Sequence, residues 1–273
     1  MPETLTTPIR NIGTVIKANH DGYLVNNLLE TSIVEPWKGV VDEMIVTYKE
    51  ILSGSLHSIY VRGSVARGTA VEGISDIDSI AVVNLEPGSF EDKQELLREI
   101  AIGFEKKYPF SVFVELQAKP LQPILDLENR IFRVLVHTTS ICVYGENLAT
   151  ILPPIKPGSE SVVVSYNFPT ILNEAIEQFS NSEFHVKAWH CRKLMRNLVR
   201  SGFEIVMERE QLWTRDLYPS YAYFAKNYPD YKDDMYQALT YSLNPMVDRE
   251  KVLFLATNLG RFVETEISRY LNP

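Results

Sequence analysis

A change in hydrophobic periodicity near residue 152 is the feature that most constrains how this chain folds. Before it, strand-like and helix-like patterns alternate, and after it only helical periodicity is convincing. The change falls at residues 152–161, LPPIKPGSES, where three prolines and a glycine interrupt regular structure. Strand–helix alternation is typical of a sheet layered with helices. We therefore predict an α/β (α+β) domain over residues 1–152 and an α-helical bundle over residues 160–273.

The first part contains segments of both strand and helix character. The predicted strands are rich in apolar and β-branched residues and cover residues 58–63, 76–84, 110–117 and 140–145. Apolar residues at helical spacing predict helices over residues 36–52, 97–104 and 121–135. Ser89 and Asp92 resemble a capping box before the second of these helices. In the second part, helical spacing is found at residues 171–179, 183–207 and 252–263.

Charge and cysteine content narrow the possible functions. The formal charge of -8 argues against a general nucleic-acid binder, whose binding face is normally strongly basic. It is compatible with a cationic small molecule as partner. Cys142 and Cys191 are too few for a disulfide framework and are typical of reduced thiols. No apolar run approaches the ~20 residues of a membrane span, and the first residues lack a signal-peptide pattern. We therefore expect a soluble, cytoplasmic protein.

Two aspartates stand at the start of the second predicted strand. Asp76 and Asp78 flank Ile77, so the alternation of a strand places both carboxylates on one face, roughly 7 Å apart. Hard divalent cations compensate such repulsion, and Mg²⁺ binds through carboxylates together with substrate phosphates. Glu115 adds a third carboxylate if its predicted strand pairs beside the first. Asp76, Asp78 and Glu115 are therefore the candidate catalytic residues and metal ligands of a two-metal site for phosphoryl transfer.

Upstream of the aspartates, the segment VRGSVARG has the composition of a phosphate-binding turn. Gly63 permits a tight turn and a close approach of the backbone to a ligand. Ser64 is predicted to be the N-cap of a short helix, whose free N–H groups and dipole favour anions. Ser75, directly before Asp76, adds a hydroxyl group. We expect Gly63, Ser64 and Ser75 to hold the outgoing pyrophosphate of a nucleoside triphosphate.

The sequence GSVARGTAVEGISDID, residues 63–78, resembles the G-S-x(n)-D-x-D signature of the DNA polymerase beta-like nucleotidyltransferase superfamily. It is especially similar to small bacterial members with G-S-x-A-R-G and S-D-I-D. Glu115 stands where such enzymes carry their third strand carboxylate. The resemblance implies a small mixed sheet with helices on one side, two Mg²⁺ ions, and transfer of a nucleoside monophosphate from a triphosphate.

The helical part is similar to streptomycin/spectinomycin-type aminoglycoside adenylyltransferases, in which a helical bundle also follows the catalytic domain. In that family a helix-borne arginine precedes a Ser-Lys-Asp-like turn, whose lysine meets the ATP phosphates. Here Thr214, Arg215 and Asp216 stand at the matching turn, with arginine in place of lysine. Arg196 lies on the preceding predicted helix, at a longer spacing than in the family. The resemblance implies that Arg215 and Arg196 bind the nucleotide.

The predicted helix around Arg196 carries a stripe of arginines. Arg192, Arg196 and Arg200 recur every four residues and therefore share one face. A polyphosphate facing the stripe would offset their mutual repulsion, because arginine matches phosphate geometry. The alternative is a solvated face whose arginines pair with the glutamates that follow, Glu204, Glu208 and Glu210.

These features together predict a Mg²⁺-dependent enzyme that transfers AMP from ATP to a hydroxyl group of a small molecule, with ATP between the two domains. An aminoglycoside is the first candidate acceptor, because the acidic charge and the segment YPDYKDDMY suit a cationic molecule, and antibiotic resistance would follow. Adenylylation of a protein or RNA partner, as in toxin–antitoxin-like systems, is the alternative, and a non-catalytic nucleotide-binding relative is another. Glu115 either completes a metal site or accepts the proton of the attacking hydroxyl.

Overall fold

The chain forms two compact units in the computed structural model, which describes residues 7–29, 32–86, 88–181 and 183–271. The sheet unit comprises Val25–Ile155. The helical unit comprises Lys156–Pro273 together with the chain up to Leu24. Each unit has its own core and is described separately.

Residues 7–24 belong to the helical unit, although the sequence-based division assigns all of residues 1–152 to one domain. The cause is a set of contacts between residues far apart in sequence. The backbone N–H of Thr14 donates to Asp216 Oδ2 at 2.7 Å, and Thr214 Oγ1 donates to the backbone oxygen of Thr14 at 2.6 Å. Hydrophobic periodicity does not reveal such pairings, because it is a local property.

The secondary structure alternates in the first half and is mainly helical in the second. The strands are β1 (Ile16–Lys17), β2 (Leu56–Arg62), β3 (Ile77–Val83), β4 (Val114–Pro120), β5 (Ser140–Gly145) and β6 (Leu212–Trp213). The helices are α1 (Trp37–Ile51), α2 (Gly63–Ala66), α3 (Glu91–Lys107), α4 (Leu121–Leu125), α5 (Arg130–Val136), α6 (Phe168–Ser180), α7 (Ala188–Glu204), α8 (Met207–Glu210), α9 (Leu217–Asn227), α10 (Lys232–Leu243), α11 (Arg249–Leu255) and α12 (Arg261–Leu271).

The sheet unit is built around a four-stranded mixed sheet in the order β4-β3-β2-β5. Strand β2 is antiparallel to both β3 and β5, and β3 is parallel to β4. Strand β3, IDSIAVV, is buried at every position except Asp78, as expected for a central strand covered on both faces. A small mixed sheet followed by a helical region confirms the predicted fold class.

Helices cover both faces of this sheet, not one face as the family resemblance implies. Helices α1 and α3 pack on the first face, where Trp37, Met44 and Tyr48 of α1 enter the core. Helices α4 and α5 pack on the second face, where Phe132 meets Tyr60 of β2 edge to face. Burying one such large apolar side chain stabilises the fold by about 1.5–3 kcal/mol relative to leaving it exposed.

Two local predictions in the sheet unit are wrong at the ends of helices. The predicted capping box does not form, because Ser89 Oγ donates to the backbone oxygen of Glu86 and Phe90 is the N-cap of α3. The helix predicted over residues 121–135 is two helices, α4 and α5. Leu127 adopts a left-handed conformation (φ 63), and Asn129 caps α5 by accepting a hydrogen bond from Phe132 N.

The third predicted strand begins later than expected. Residues 110–113 form a turn, and β4 begins at Val114. This turn pairs with the loop that precedes β3: Gly73 N donates to the backbone oxygen of Phe110 at 2.6 Å, and Val112 N donates to that of Ser75 at 3.2 Å. The loop pairing aligns β4 with β3 at the end where the acidic residues lie.

Helix α7 is central to the helical unit and packs against α6, α9 and α10. The close approach favours glycine at position 202, because a Cβ there would lie 2.5 Å from Met235 Cε and 3.0 Å from Phe224 Cδ2 and both side chains would have to shift. A short ribbon, in which Ile16 of β1 faces Trp213 of β6, departs from the expected all-helical second part. Within the described part of the chain, we find no helix that combines the length and hydrophobicity needed to cross a membrane.

A buried carboxylate anchors the chain just after the proline-rich break. Glu204, at the end of α7, accepts hydrogen bonds from the backbone N–H groups of Val163, Val164 and Ser165 at 2.8–3.1 Å. Ser165 Oγ donates to the same carboxylate at 2.7 Å. These donors replace the water that the buried charge loses on folding.

Candidate active site

Three charged side chains occupy one row across neighbouring strands of the sheet. Arg62 of β2 is the register partner of Asp78 on β3, and Asp78 is the register partner of Glu115 on β4. Register partners lie on the same face of a sheet with their Cβ atoms about 4.5–5.5 Å apart. The structure therefore places Asp78 and Glu115 together, as the sequence analysis expects if the two strands pair.

Asp76 lies one residue before β3 and is exposed. Burial raises the pKa of Asp78 from 3.8 to about 6, the charge of Arg62 opposes this rise, and the charges of Glu115 and Asp76 add to it. The charges of Asp76 and Glu115 therefore both act on Asp78. Across the described ranges, however, no cluster of three or more His, Cys, Asp or Glu side chains has the geometry of a metal site.

Arg62, which the sequence analysis did not single out, contacts two of these acids. Its Nη2 atom donates to Glu115 Oε2 and lies 3.3 Å from Asp78 Oδ1. The other oxygen of Glu115, Oε1, accepts a hydrogen bond from Gln117 Nε2 at 2.7 Å. Both oxygens of Glu115 thus have donors. The available sequence signal was a charged residue at the end of an apolar strand, directly before Gly63.

The backbone at Glu115 is held from the opposite face of the sheet. Ser79 Oγ of β3 donates to the backbone oxygen of Glu115 at 2.8 Å, and it also bonds Tyr48 Oη at 2.8 Å. Burial raises the pKa of the Tyr48 hydroxyl, so this group stays neutral. Tyr48 and Ser79 therefore act as positioning residues for β4. Sequence periodicity marks them only as polar atoms inside the core.

The Gly-Ser turn lies beside the acidic row. Gly63 has φ +76, and a Cβ at this position would lie 3.1 Å from Asp78 Oδ2, so both its conformation and its neighbour favour glycine. Ser64 is not an N-cap as predicted: α2 begins at Gly63, and Arg62 is its N-cap. Ser75 Oγ accepts a hydrogen bond from Val71 N at 2.9 Å and so stabilises the loop before β3. Phosphate binding by Gly63, Ser64 and Ser75 stays a prediction.

A groove of 660 Å³ runs along the outer edge of β4, beside α3, and reaches Glu115. Its lining includes acidic and basic side chains and the half-exposed ring of Phe113. Gln94 of α3 covers part of the strand edge, because its amide donates to the Leu116 oxygen at 3.1 Å and accepts from Ala118 N at 2.7 Å. The volume of the groove suits a small ligand. A peptide strand pairing with the edge of β4 would need the backbone positions that the Gln94 amide already occupies.

The predicted nucleotide-binding arginines lie in the helical unit. Arg200 Nε donates to the backbone oxygen of Arg215 at 3.1 Å. Burial lowers the pKa of Arg200, and the nearby charges of Arg215 and Arg196 lower it further. These three guanidinium groups form a positively charged cluster, with Asp216 as the leading opposing charge. Arg200, already placed in the predicted stripe with Arg196, lies beside both members of the predicted pair.

Two of the three glutamates offered as alternative partners of the arginine stripe have other contacts, although the charge of Glu204 also acts on Arg200. The carboxylate of Glu204 binds backbone N–H groups of residues 163–165. Glu210 accepts hydrogen bonds from Lys226 and Asn227. The nucleotide role of Arg196 and Arg215 remains a prediction.

The sheet carries a Gly-Ser turn after one strand, a D-x-D pair at the next and a third acid on a parallel neighbour. This arrangement is the one expected of a nucleotidyltransferase. In agreement, residues 46–133 match a family model described as a nucleotidyltransferase domain. Residues 46–133 therefore contain a nucleotidyltransferase domain, which confirms the predicted resemblance to nucleotidyltransferases and the prediction of an enzyme.

A solved structure and a curated relative are similar to this chain. The crystal structure of spectinomycin adenyltransferase from Enterococcus faecialis, determined with ATP and spectinomycin, covers 85% of this chain and 99% of its own, with a TM-score of 0.52 and 15% identity. At this identity the similarity shows the fold. The curated relative is a Methanocaldococcus jannaschii protein whose name, protein adenylyltransferase, is itself an inference. It is 34% identical to this chain over 73 residues, which is 27% of this chain. The chain spans about half (49%) of that relative's length.

Proposed function

We propose that this protein is a Mg²⁺-dependent adenylyltransferase that transfers AMP from ATP to a hydroxyl group and releases pyrophosphate. The observation that supports the proposal most directly is the register of Asp78 with Glu115, next to Asp76 and the Gly-Ser turn. The fold similarity to a structure determined with ATP favours ATP as the nucleotide. Cys142 and Cys191 are thiols and are not joined in a disulfide, which agrees with the cytoplasm as the proposed location.

The donor set fits divalent magnesium. Carboxylate oxygens are the ligands that Mg²⁺ prefers, and Asp78 lies beside Glu115 with the charge of Asp76 close by. Asp76 and Asp78 would hold the two proposed ions, with Glu115 as a further ligand or as the base. Bound magnesium would neutralise charge on the triphosphate as the α-phosphorus reacts.

The side chains of this protein have distinct proposed roles in the transfer. In its role as base, Glu115 would accept the proton of the acceptor hydroxyl, whose oxygen forms a bond to the α-phosphorus while the bond to the pyrophosphate oxygen breaks. Gly63, Ser64 and Ser75 hold the departing pyrophosphate. Arg215 and Arg196 bind the phosphates through charge-assisted hydrogen bonds. Gln117 orients the carboxylate of Glu115.

The proposed acceptor is a small hydroxyl-bearing molecule, with an aminoglycoside as the first candidate. The groove beside Glu115 has a volume of 660 Å³, within the usual range for small-molecule sites. The net charge of -8 favours a cationic acceptor over nucleic acid. If the acceptor is an aminoglycoside, the activity confers resistance to it.

An adenylation assay tests this proposal. The protein is incubated with α-³²P-labelled ATP, Mg²⁺ and a panel of aminoglycosides, and labelled products are separated by chromatography. We expect label on at least one compound, loss of transfer with EDTA, and protection of cells that express the protein. Absence of any labelled drug contradicts the aminoglycoside assignment.

Adenylylation of a macromolecule is a second candidate, since the M. jannaschii relative carries the name of a protein adenylyltransferase. The same labelled ATP is added to cell lysate, and labelled protein or RNA is detected on a gel. Label on a macromolecule with none on the drugs favours this candidate and a toxin–antitoxin-like role. A non-catalytic relative would transfer no label, and an unchanged melting temperature with ATP and Mg²⁺ would contradict nucleotide binding itself.

A further inference from the structure

We propose that Arg62 is an internal counter-ion, which competes with divalent metal for Asp78 and Glu115 and so couples metal binding to nucleotide binding. The inference rests on the proposed function, because it assumes that these carboxylates bind magnesium. It concerns a residue that lies directly before the G-S-x(n)-D-x-D signature and is not part of it.

Arg62 is positioned to pair with both carboxylates. It is the last residue of β2, in register with Asp78, and one Nη2 atom contacts both Asp78 and Glu115. The three side chains are only 24–25% exposed. Charge-assisted hydrogen bonds between partly buried groups are stronger than exposed ones. The guanidinium therefore neutralises part of the charge that a metal ion would otherwise neutralise.

The environment of the other guanidinium nitrogens indicates that Arg62 can be displaced from the two carboxylates. Arg62 Nε is buried and has no hydrogen-bond partner. A buried N–H without an acceptor carries a desolvation penalty, which makes the arginine less stable in this position than a fully bonded one. Arg62 therefore loses less on leaving the carboxylates than its two ion pairs alone suggest.

Arg62 and a metal ion would compete because both would bind the same carboxylate oxygens. The lone pairs of Asp78 Oδ1 and Glu115 Oε2 that face Nη2 are the donors a cation would use, and a cation nearby would also repel the guanidinium. A bound triphosphate offers Arg62 other acceptors, since arginine matches phosphate geometry. The free protein should therefore bind metal weakly, and the nucleotide should strengthen metal binding.

The test measures Mn²⁺ binding directly, by electron paramagnetic resonance of free Mn²⁺, with and without a non-hydrolysable ATP analogue. The variants are Arg62→Met, which removes the charge, and Arg62→Lys, which keeps it. Lys38→Met is the matched control, because it removes an exposed cation paired with Asp42 in the same unit. Without nucleotide, we expect Arg62→Met to bind Mn²⁺ at least tenfold more tightly than wild type, and the other two variants to stay within threefold.

The nucleotide should strengthen Mn²⁺ binding more in wild type than in Arg62→Met. The analogue should tighten Mn²⁺ binding by wild type at least tenfold and by Arg62→Met less than threefold. Equal or weaker Mn²⁺ binding by Arg62→Met overturns the inference while leaving the proposed function intact. If wild type with the analogue and Arg62→Met both bind no Mn²⁺, the metal part of the proposed function fails as well, and the two failures are thereby distinguished.

Thermal melting keeps the proposal testable if the substitution impairs folding. In EDTA, Arg62→Met should melt below wild type, because two neighbouring carboxylates lose their counter-ion, and saturating Mn²⁺ should restore more stability to it than to wild type. Arg62→Gln, equally neutral, serves as the second variant. Failure of Mn²⁺ to stabilise either neutral variant more than wild type contradicts the role of Arg62 as a replaceable cation.

Discussion

Asp78 and Glu115 are register partners on adjacent parallel strands, and their carboxylates share one guanidinium, that of Arg62. This pairing turns two acids that are distant in sequence into one electrostatic unit. The charge of Asp76 acts on the same unit from the loop before β3. The consequences for metal binding, proton transfer and nucleotide binding can be measured separately.

Replacement of the aspartates should remove adenylyl transfer without unfolding the protein. We expect Asp76→Asn and Asp78→Asn each to lower the rate of transfer at least about 10²-fold, because neutral amides bind Mg²⁺ poorly and leave the triphosphate charge uncompensated. The measurement is release of pyrophosphate in the presence of the acceptor found by labelling. Asp42→Asn is the control, since Asp42 is exposed and paired with Lys38. Full activity of Asp78→Asn would contradict the proposed site.

Replacement of Glu115 separates its two possible roles. As general base, Glu115→Gln should lower kcat by roughly 10²–10⁴-fold while the KM for ATP and the affinity for Mn²⁺ change less than about threefold. As a metal ligand, the same substitution should weaken Mn²⁺ binding as well. Steady-state kinetics together with Mn²⁺ titration decide between these outcomes. Unchanged kcat and unchanged metal affinity would exclude both roles.

The arginine cluster of the helical unit should contribute to nucleotide affinity. We expect Arg215→Ala to weaken ATP binding by about 10–100-fold, because charge-assisted hydrogen bonds to phosphate are worth about 1.5–3 kcal/mol. Isothermal titration with a non-hydrolysable analogue measures the change. Arg209→Ala, in the same unit, is the control, since Arg209 donates to Asn227. Equal affinities of Arg215→Ala and the control would remove Arg215 from the proposed site.

The buried carboxylate of Glu204 should be a major determinant of stability. Glu204→Gln retains the shape but brings an amide N–H₂ toward the backbone N–H groups of Val163, Val164 and Ser165. We expect a loss of about 2–4 kcal/mol in the free energy of unfolding, measured by urea denaturation. Glu177→Gln, an exposed position on α6, should change it by less than about 0.5 kcal/mol. Similar effects of the two substitutions would contradict this role.

The two cysteines should differ in reactivity. Burial raises the pKa of the Cys191 thiol from 9.0 to about 11, and its side chain is fully buried, whereas Cys142 is partly exposed. A raised thiol pKa means that Cys191 stays protonated at pH 8, and the thiolate is the form that reacts. Iodoacetamide at pH 8 should therefore modify Cys142 before Cys191, and both equally in urea, as measured by peptide mass spectrometry. Faster modification of Cys191 in the native protein would refute this.

Much of the candidate site follows from local sequence. Apolar and β-branched runs predict the central strands, and β5 has the predicted bounds, Ser140–Gly145. The Gly-Ser turn and the spacing of Asp76 and Asp78 are readable because glycine conformation and strand alternation depend on near neighbours. The same local rules fail where side chains bond across the turn, as at Ser89, or where a left-handed residue divides a helix, as at Leu127.

The sequence by itself determined the class of fold, the acidic pair and the third acid on a separate strand. Only the tertiary structure decided that β3 and β4 are parallel partners, that Arg62 reaches both carboxylates, and that residues 7–24 belong to the helical unit. The physical reason is that periodicity reports which face of an element is apolar, whereas strand register and long ion pairs depend on which elements meet. The electrostatics of this site therefore depend on which strands pair and in which register.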